Sequence, residues 1–325
     1  MASRNKAPTS NDSESGHLLS IPMYFEDDED DEADTLNMDG MRSADEKEVS
    51  YLMFDSELFP KIKVKVDISI HSSLVWTEIN SYIKGSVEAL LSPDAVGCLS
   101  LDEYLAFGKK RSDMSETNRR LIYQAFVIYR QLCAQRGLYD QGDIVFSCYR
   151  RLCEHGRCGI VLHQVYADEV QDLTQALLFL MMSICENANG LFLAGDTAQT
   201  IARGVGFRFT DIKSLFHRLE EARAKADAQI RVPAPISLIH NYRSHTGVLQ
   251  LAATVVDMIY RFFPGAIDVL PPDRGVLDGP KPLILEVEST SELSILLLGN
   301  QRASAQIEFG AHQAVLVRNE EARRC

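Results

Sequence analysis

The chain has 325 residues, enough for about two domains of ordinary size. Hydrophobic residues make up 46% and charged residues 24%, which is ordinary globular usage and excludes a wholly disordered or fibrous protein. The formal net charge is −13, but residues 1–50 hold 14 Asp and Glu against four Lys and Arg, which leaves about −3 for the rest. A nearly neutral body remains able to bind nucleic acid through a local basic groove.

The cysteine count and the apolar runs indicate an intracellular protein of the nucleus or cytoplasm. Seven cysteines are an odd number, and the N-terminus has no apolar core of the signal-peptide type, so we expect reduced thiols. Apolar runs such as Ala176–Met182 are too short to span a bilayer. We therefore expect no membrane partner.

Residues 1–48 are rich in Ser, Asn, Asp and Glu, and self-repulsion predicts a disordered acidic tail. The tail is either a solvated spacer or a docking site for a basic protein partner. We expect the remaining chain to divide into an N-terminal strand and helix part of a motor domain, a helical insertion, a RecA-like motor domain, and the start of a second, truncated motor domain. These four parts span residues 49–86, 87–158, 159–282 and 283–325.

The first part of the body is predicted to open on a strand and continue as helices. Lys61–Val66 alternates polar and apolar residues, which favours a half-buried strand. Ser100-Leu-Asp-Glu103 has the spacing of a capping box and predicts a helix start. Ser115–Arg136 has apolar residues at helical spacing, with aromatic members in the core, and Gly137 suits its C-terminal cap.

After Gly159 short apolar strands alternate with helices. This order predicts an α/β fold with a RecA-like parallel sheet, whose functional residues follow the carboxyl ends of the strands. The predicted strands are Leu162–Ala167, Leu191–Ala194, Ile236–Ile239, Leu283–Val287 and Ala314–Val317. The predicted helices are Leu173–Ala188, Thr210–Ala226 and His245–Phe263, and a Pro- and Gly-rich loop spans Pro264–Pro282.

Two adjacent carboxylates, Asp168 and Glu169, directly follow the first of these strands. An acidic pair in this place is either a solvated turn or a site where Mg²⁺ is held and water is activated. Two further polar blocks, Gly195–Ile201 and Leu238–Ser244, follow later strands. The presence of these two blocks beside the acidic pair favours a site that holds Mg²⁺ over a solvated turn.

The blocks Asp168–Asp172, Gly195–Ile201 and Leu238–Ser244 together resemble motifs II, III and IV of the UvrD/Rep-type superfamily I helicases. Leu138–Val145 is similar to the Asp-rich segment upstream of motif II in that family, and Ala314–Asn319 is similar to the strand that begins its second motor domain. Within that family, the sequences of three stretches are most similar to those of the large eukaryotic TPR and ankyrin repeat-containing helicase-like proteins: Trp76–Ser86, Gly204–Phe209 and Leu215-Phe216.

The resemblance implies an ATP-dependent helicase or translocase that uses ATP and Mg²⁺ on single-stranded nucleic acid, either DNA or RNA. It implies that Asp168 binds Mg²⁺, that Glu169 is the general base, and that Gln171 and Asp172 couple this site to neighbouring motifs.

For motif III, the resemblance implies that Asp196 holds the strand end and Gln199 senses the γ-phosphate. For motif IV, it implies that Tyr242 stacks on adenine and Arg243 reaches the γ-phosphate. An aromatic-Arg pair after motif III, here Phe207 and Arg208, would contact the nucleic acid strand, although Phe207 fits a core position equally well.

One departure from the family pattern keeps other interpretations open. No Gly-x-x-x-x-Gly-Lys-Ser/Thr phosphate loop occurs, and Phe107–Lys110 lacks its second glycine and its hydroxyl. We therefore expect an incomplete motor, and a catalytically inactive pseudo-helicase that serves as an interaction module is the alternative.

Two metal-based interpretations also remain. A nuclease or phosphatase would use Asp168, Glu169 and Asp196 as metal ligands. A structural zinc site would draw on a thiol and imidazole cluster made of Cys148, Cys153, His155, Cys158 and His163.

Overall fold

A computed structural model describes residues 47–92, 96–108, 114–156, 161–187, 189–200, 204–206, 208–222, 232–264, 266–283 and 316–317. All of them belong to one compact unit, Lys47–Cys325. All of the predicted acidic tail except Lys47 and Glu48, and most of the two predicted strands after residue 282, lie outside the described residues. Lys47 and Glu48 belong to the body, since Lys47 C=O accepts the N–H of Tyr139. Among the helices that are described, none combines the length and the apolar character needed to cross a membrane.

Helices dominate the described part of the chain. The first half contains α1 (residues 51–65, π-helical over Phe54–Leu58), α2 (residues 72–83, π-helical over Glu78–Ile83), α3 (Val87–Leu91), α4 (Leu101–Gly108), α5 (Glu116–Arg136) and α6 (Gln141–His155). The second half contains β1 (Val165–Ala167), α7 (Gln175–Ile184), β2 (Leu191–Leu193), α8 (Phe209–Ala222), β3 (His240–Asn241), α9 (Thr246–Phe262) and β4 (Arg274–Gly275).

The strand predicted over Lys61–Val66 is wrong, because this segment belongs to α1. Phe54, Leu58 and Ile62 are fully buried at intervals of four residues, which places them on one face of a helix. Val64, which an inward-facing strand pattern would bury, is 88% exposed. Ile62 and Val66, four residues apart, face the core, whereas Val64 between them does not.

The helix boundaries that rest on capping residues are confirmed. The hydroxyl of Ser100 accepts the N–H of Glu103, and the Glu103 carboxylate accepts the N–H of Ser100 at 2.7 Å, which completes the capping box. Ser115 caps the start of α5, and Gly137 ends it in the left-handed conformation at φ 64°. Gly137 is favoured there because a residue without Cβ adopts this conformation without strain.

The described body has two hydrophobic cores. The first is aromatic: Phe54, Trp76 and Tyr129 pack together, with the Phe54 and Trp76 ring centroids 4.8 Å apart. The predicted core role of the aromatic residues in α5 is thus confirmed for Phe126 and Tyr129, which are 1% exposed. The second core brings α7 and α8 together through side chains that include Phe179 and Phe216. It supports the sheet that carries the acidic pair.

The predicted strand–helix–strand unit is present, although its strands are short. β1 and β2 are parallel, with Val165 opposite Leu191 and Ala167 opposite Leu193, and α7 lies between them in the chain. β3 and β4 form a second parallel pair. The predicted strand at Ile236–Ile239 is displaced, because the ladder begins only at His240. The described residues thus hold two small parallel sheets, and a larger RecA-like sheet remains a prediction.

The two cores are joined beside a buried ion cluster. The ammonium group of Lys84, at the end of α2, lies 2.6 Å from Asp140 and 2.5 Å from Asp143 at the start of α6. The Tyr129 hydroxyl also donates to Asp140, at 2.8 Å. Burial raises the pKa of the Asp140 carboxyl, but the charge of Lys84 together with hydrogen bonds from Lys84, Tyr129 and the Asp143 N–H outweighs burial, so this pKa lies below its ordinary value. Burial lowers the pKa of Lys84, and the two carboxylates more than reverse this effect. Lys84 and Asp140 are therefore both charged at neutral pH.

Replacing Lys84 with Met should lower the free energy of unfolding by about 3–5 kcal/mol, because the buried Asp140 carboxylate loses its counter-ion. Urea unfolding followed by circular dichroism at pH 7 measures this. Lys63→Met, at an exposed position of α1, is the matched control and should change the free energy by less than about 0.5 kcal/mol. Equal effects of the two substitutions would contradict the role assigned to the cluster.

Candidate functional site

The carboxyl ends of β1 and β2 are held side by side by backbone hydrogen bonds. Ala194 N–H donates to Ala167 C=O at 2.9 Å, and Val170 N–H donates to Ala194 C=O at 3.0 Å. Pairing therefore continues past the last strand residues into the two polar blocks. As a result, the segments that begin at Asp168 and at Gly195 meet at one edge of the sheet.

Asp168 and Glu169 both lie exposed at this edge. Glu169 has φ 52° and is the only residue other than glycine with a positive φ in the part of the chain that the structure describes. Such a conformation is strained for a residue with a Cβ and persists where the surroundings impose it. Here Glu169 N–H donates to the Asp168 carboxylate, and Asp172 N–H donates to Glu169 C=O, each at 3.0 Å. Asp172 itself is partly buried.

A hydrogen-bonded chain joins the two polar blocks. Gln171, 1% exposed, donates from Nε2 to the Glu169 carboxylate at 2.5 Å and accepts the Asp196 N–H on Oε1 at 3.0 Å. Gln199 Nε2 then donates to Asp196 Oδ2 at 2.8 Å. We call these four residues, Glu169, Gln171, Asp196 and Gln199, the strand-end network. It brings together residues that the sequence assigned to motif II and motif III.

Gly195 is required by this network. A Cβ at residue 195 would lie 2.5 Å from Oε1 of Gln171 and 3.0 Å from the Val170 side chain. No Cβ contact that short is tolerated, so any other residue would push Gln171 out of its position. The glycine therefore allows the buried amide to reach Asp196.

Tyr242 and Arg243 stand at the end of the second small sheet. Asn241 Oδ1 accepts the N–H groups of Arg243 and Ser244, at 3.0 and 2.9 Å, and its Nδ2 donates to Asp273 at 3.1 Å. This turn leaves Tyr242 80% exposed and Arg243 exposed. Among the described residues, no hydrogen bond or ion pair links Tyr242 or Arg243 to the strand-end network.

Of the two residues predicted to contact nucleic acid, Phe207 lies outside the described residues and Arg208 is exposed. Arg208 C=O accepts the N–H of Asp211 at 2.9 Å, at the start of α8. The preceding residues pack on α2: Gly206 N–H donates to the Ser81 hydroxyl at 2.8 Å, and a Cβ at Gly204 would lie 2.7 Å from the Trp76 ring. Thus two stretches separated by more than a hundred residues are in direct contact.

No group of three or more His, Cys, Asp or Glu residues is placed to hold a metal ion within the described part of the chain. The two metal-based interpretations therefore gain no support there, although Cys158 falls outside it. Among the described residues, no disulfide involves Cys98, Cys133, Cys148, Cys153 or Cys185.

Sequence reasoning missed three residues: Lys84 in the buried ion cluster, and Thr197 and Asp268 beside the strand-end network. Lys84 was not singled out because its carboxylate partners lie 56 and 59 residues further along the chain. Thr197, 3% exposed, accepts the N–H of Asp268 at 3.1 Å across 71 residues. Asp268 lies in the segment predicted as a connecting loop, and no spacing or periodicity in that segment distinguishes it.

Comparison with known proteins gives two findings. The model of the UvrD/REP helicase N-terminal domain matches residues 23–222. The protein described as "TPR and ankyrin repeat-containing protein 1", from Homo sapiens, is 41% identical over 312 residues, which cover 93% of this chain. The chain spans 11% of the length of this curated relative.

The strand-end network is tested by Gln171→Met, which keeps the size of the side chain and removes both hydrogen bonds. We expect the unfolding free energy to fall by about 1–3 kcal/mol and the Asp196 amide to exchange its hydrogen faster, because a partly buried N–H loses its acceptor. Urea unfolding and hydrogen–deuterium exchange measure the two effects. Gln124→Met, at an exposed position of α5, is the control. Unchanged exchange at residues 195–199 would show that Gln171 does not hold the network together.

Proposed function

The chain belongs to the family of the UvrD/REP helicase N-terminal domain, and we propose that it supplies the motif II to motif IV part of an ATP-dependent motor on single-stranded nucleic acid. The observation that carries this proposal is the strand-end network. It joins a candidate general base, Glu169, to a candidate γ-phosphate sensor, Gln199, through two fixed intermediates. Such a link is what a site needs if phosphate chemistry at one strand is to be sensed at its neighbour.

The residues at this edge fit the magnesium half of a Mg²⁺·ATP site. Mg²⁺ in nucleotide sites is usually held by one or two carboxylates together with the phosphates and water, so three protein ligands are not needed. Asp168 offers an exposed carboxylate at the strand end and would hold the ion. A bound Mg²⁺ neutralises charge that develops on the phosphates.

The other side chains at this edge would have separate roles in hydrolysis. Glu169 would accept the proton of the attacking water, and Gln171 would fix the direction of its carboxylate. Asp196 holds the Gln199 amide at the same edge. Asp172, next to this edge, would help couple the site to neighbouring motifs.

Motif IV would complete the site from the second sheet. Arg243 would stabilise the γ-phosphate with a planar, permanently charged group, and Tyr242 would stack on the adenine. Both side chains are exposed and available for a ligand. Within the described residues no hydrogen bond ties them to the strand-end network, so a nucleotide bound by both would itself form the connection.

Single-stranded DNA or RNA would be bound on the surface that includes Arg208 and the segment packed against Trp76 and Ser81. Phe207 would stack on a base. The exposed side chain of Arg208 and the rigid backing of this segment by α2 support this part of the proposal.

A second candidate function is favoured by one observation in the sequence. No Gly-x-x-x-x-Gly-Lys-Ser/Thr pattern occurs, so the backbone amides and the lysine that cradle phosphates in P-loop enzymes are not supplied by these residues. The alternative is a pseudo-helicase that retains the fold as an interaction module. Its acidic residues 1–48 would then serve as a docking site for a basic protein partner.

Glu169→Gln separates the two candidates. If Glu169 is the general base, the variant should bind a fluorescent ATP analogue with Mg²⁺ as tightly as the wild-type chain and hydrolyse ATP at least about 100-fold more slowly. Glu154→Gln, at an exposed position of α6, is the matched control. Hydrolysis is measured with and without single-stranded oligonucleotides. Equal turnover by Glu169→Gln and wild type would overturn the assignment of the base, and failure of the wild-type chain to bind nucleotide would favour the pseudo-helicase.

Tyr242→Ala tests the adenine contact. Because the side chain is 80% exposed, the substitution should change stability by less than about 0.5 kcal/mol. Loss of a base stack costs about 1–3 kcal/mol, so affinity for the ATP analogue should fall by about 5- to 150-fold. Tyr166→Ala removes a tyrosine that is 71% exposed on the face of β1 and should leave affinity unchanged. Equal affinities of the two variants would show that Tyr242 does not contact the base.

A further inference from the structure

Asp268 connects three separate segments of the chain. Its Oδ2 accepts the N–H of Phe209, the first residue of α8, at 3.0 Å. Its own N–H donates to the Thr197 hydroxyl at 3.1 Å, and its C=O accepts the hydroxyl of Tyr260 at 3.1 Å. The Tyr260 hydroxyl in turn accepts the N–H of Leu270 at 3.1 Å, so Tyr260 is fixed from both sides.

Thr197 places one end of this connection inside motif III. It opens the short 3-10 turn Thr197–Gln199, which the Asp196 side chain caps by accepting Ala198 N–H at 2.9 Å. Gln199 closes the same turn and belongs to the strand-end network. A displacement of Thr197 therefore displaces the proposed γ-phosphate sensor with it.

Tyr260 places the other end on α9, which directly follows Tyr242 and Arg243. The helix has 17 residues and is about 25 Å long. Its start is anchored by hydrogen bonds from Thr246 to Leu277 C=O and by Gly247, where a Cβ would collide with Pro280 C=O. Within this helix, which the structure describes in full, only Gly247 is buried. The helix is thus fastened mainly near its two ends and is able to transmit a displacement between them.

We propose that Asp268 is a positioning residue that couples the motif III turn to the far end of α9, so that Gln199 and the Tyr242-Arg243 pair move together. The inference rests on the proposed function for its nucleotide roles. The mechanical coupling itself depends only on the hydrogen bonds from Thr197 through Asp268 to Tyr260.

Hydrogen–deuterium exchange of the whole chain without nucleotide tests the coupling. Tyr260→Phe removes only the hydroxyl on α9, and Thr197→Val removes only the acceptor in motif III. Each variant should speed exchange about five- to tenfold at both ends, in residues 197–200 and in residues 259–263, because cutting one link releases both segments. The double variant should exchange like either single variant, since both cut the same connection.

Two controls separate coupling from local damage. Thr197→Ser keeps the hydroxyl acceptor and should exchange like wild type. Thr254→Val removes a hydroxyl that donates to Gln250 C=O within α9 and should change exchange only around residue 254. Effects of Tyr260→Phe and Thr197→Val that stay confined to their own segments, and that add in the double variant, would overturn the proposal.

A second measurement distinguishes failure of the coupling from failure of the proposed function. With Mg²⁺ and a non-hydrolysable ATP analogue, the wild-type chain should gain protection at residues 197–200 and 242–246 together, whereas Tyr260→Phe should lose the joint response. Absence of protection in the wild-type chain would contradict the proposed nucleotide site but not the coupling through Asp268. The exchange measured without nucleotide would still decide whether Asp268 couples the two segments.

Discussion

The packing of the helices behind the sheet edge depends on the buried ammonium group of Lys84. Lys84 lies between Ile83, which belongs to the first core, and Val87, which belongs to the second. Its two carboxylate partners begin α6, and the next residue, Gly85, accepts the N–H of Ala176 at 2.8 Å from α7. Since neither a lone ammonium nor a lone carboxylate is tolerated in this surrounding, the cluster holds α2, α6 and α7 in one arrangement. The sheet edge with Asp168 and Glu169 is built on that arrangement.

Capping residues and local periodicity allowed much of the fold to be predicted. Ser100, Ser115 and Gly137 act within a few residues of their own helix ends, so the sequence close by contains the necessary information. The strand predicted over Lys61–Val66 was wrong because a six-residue alternation is too short to distinguish a strand from a helix that buries only every fourth side chain. The length of β1 and β2 could not be predicted either, because a strand extends only as far as its partner does.

In the candidate site, too, some features could be predicted from local sequence and others could not. The edge where β1 and β2 end could be predicted, because carboxyl ends of parallel strands meet at one side of a sheet. The left-handed backbone of Glu169 could not be predicted, since glutamate rarely adopts this conformation. The reach of Gln171 could not be predicted either, since it follows from a contact with Asp196, 25 residues away. The same holds for Gly195, whose missing Cβ matters only because Gln171 lies against it. Local sequence thus predicted which residues belong to the site, whereas the hydrogen bonds between them depend on packing between distant segments.

The outward face of α9 has a consequence for how the protein behaves in solution. Val248, Leu251, Val255, Met258 and Phe262 recur at alternating steps of three and four residues and are each 42% to 66% exposed. A continuous apolar stripe of this kind promotes self-association, and charge repulsion between molecules opposes it. Most of that repulsion comes from the first 50 residues, which carry −10 of the net −13. Near the isoelectric point, about pH 5.1, the net charge that provides this repulsion falls to zero while the stripe remains, so the colloidal stability of the protein depends on a segment that is distant from the stripe in the sequence.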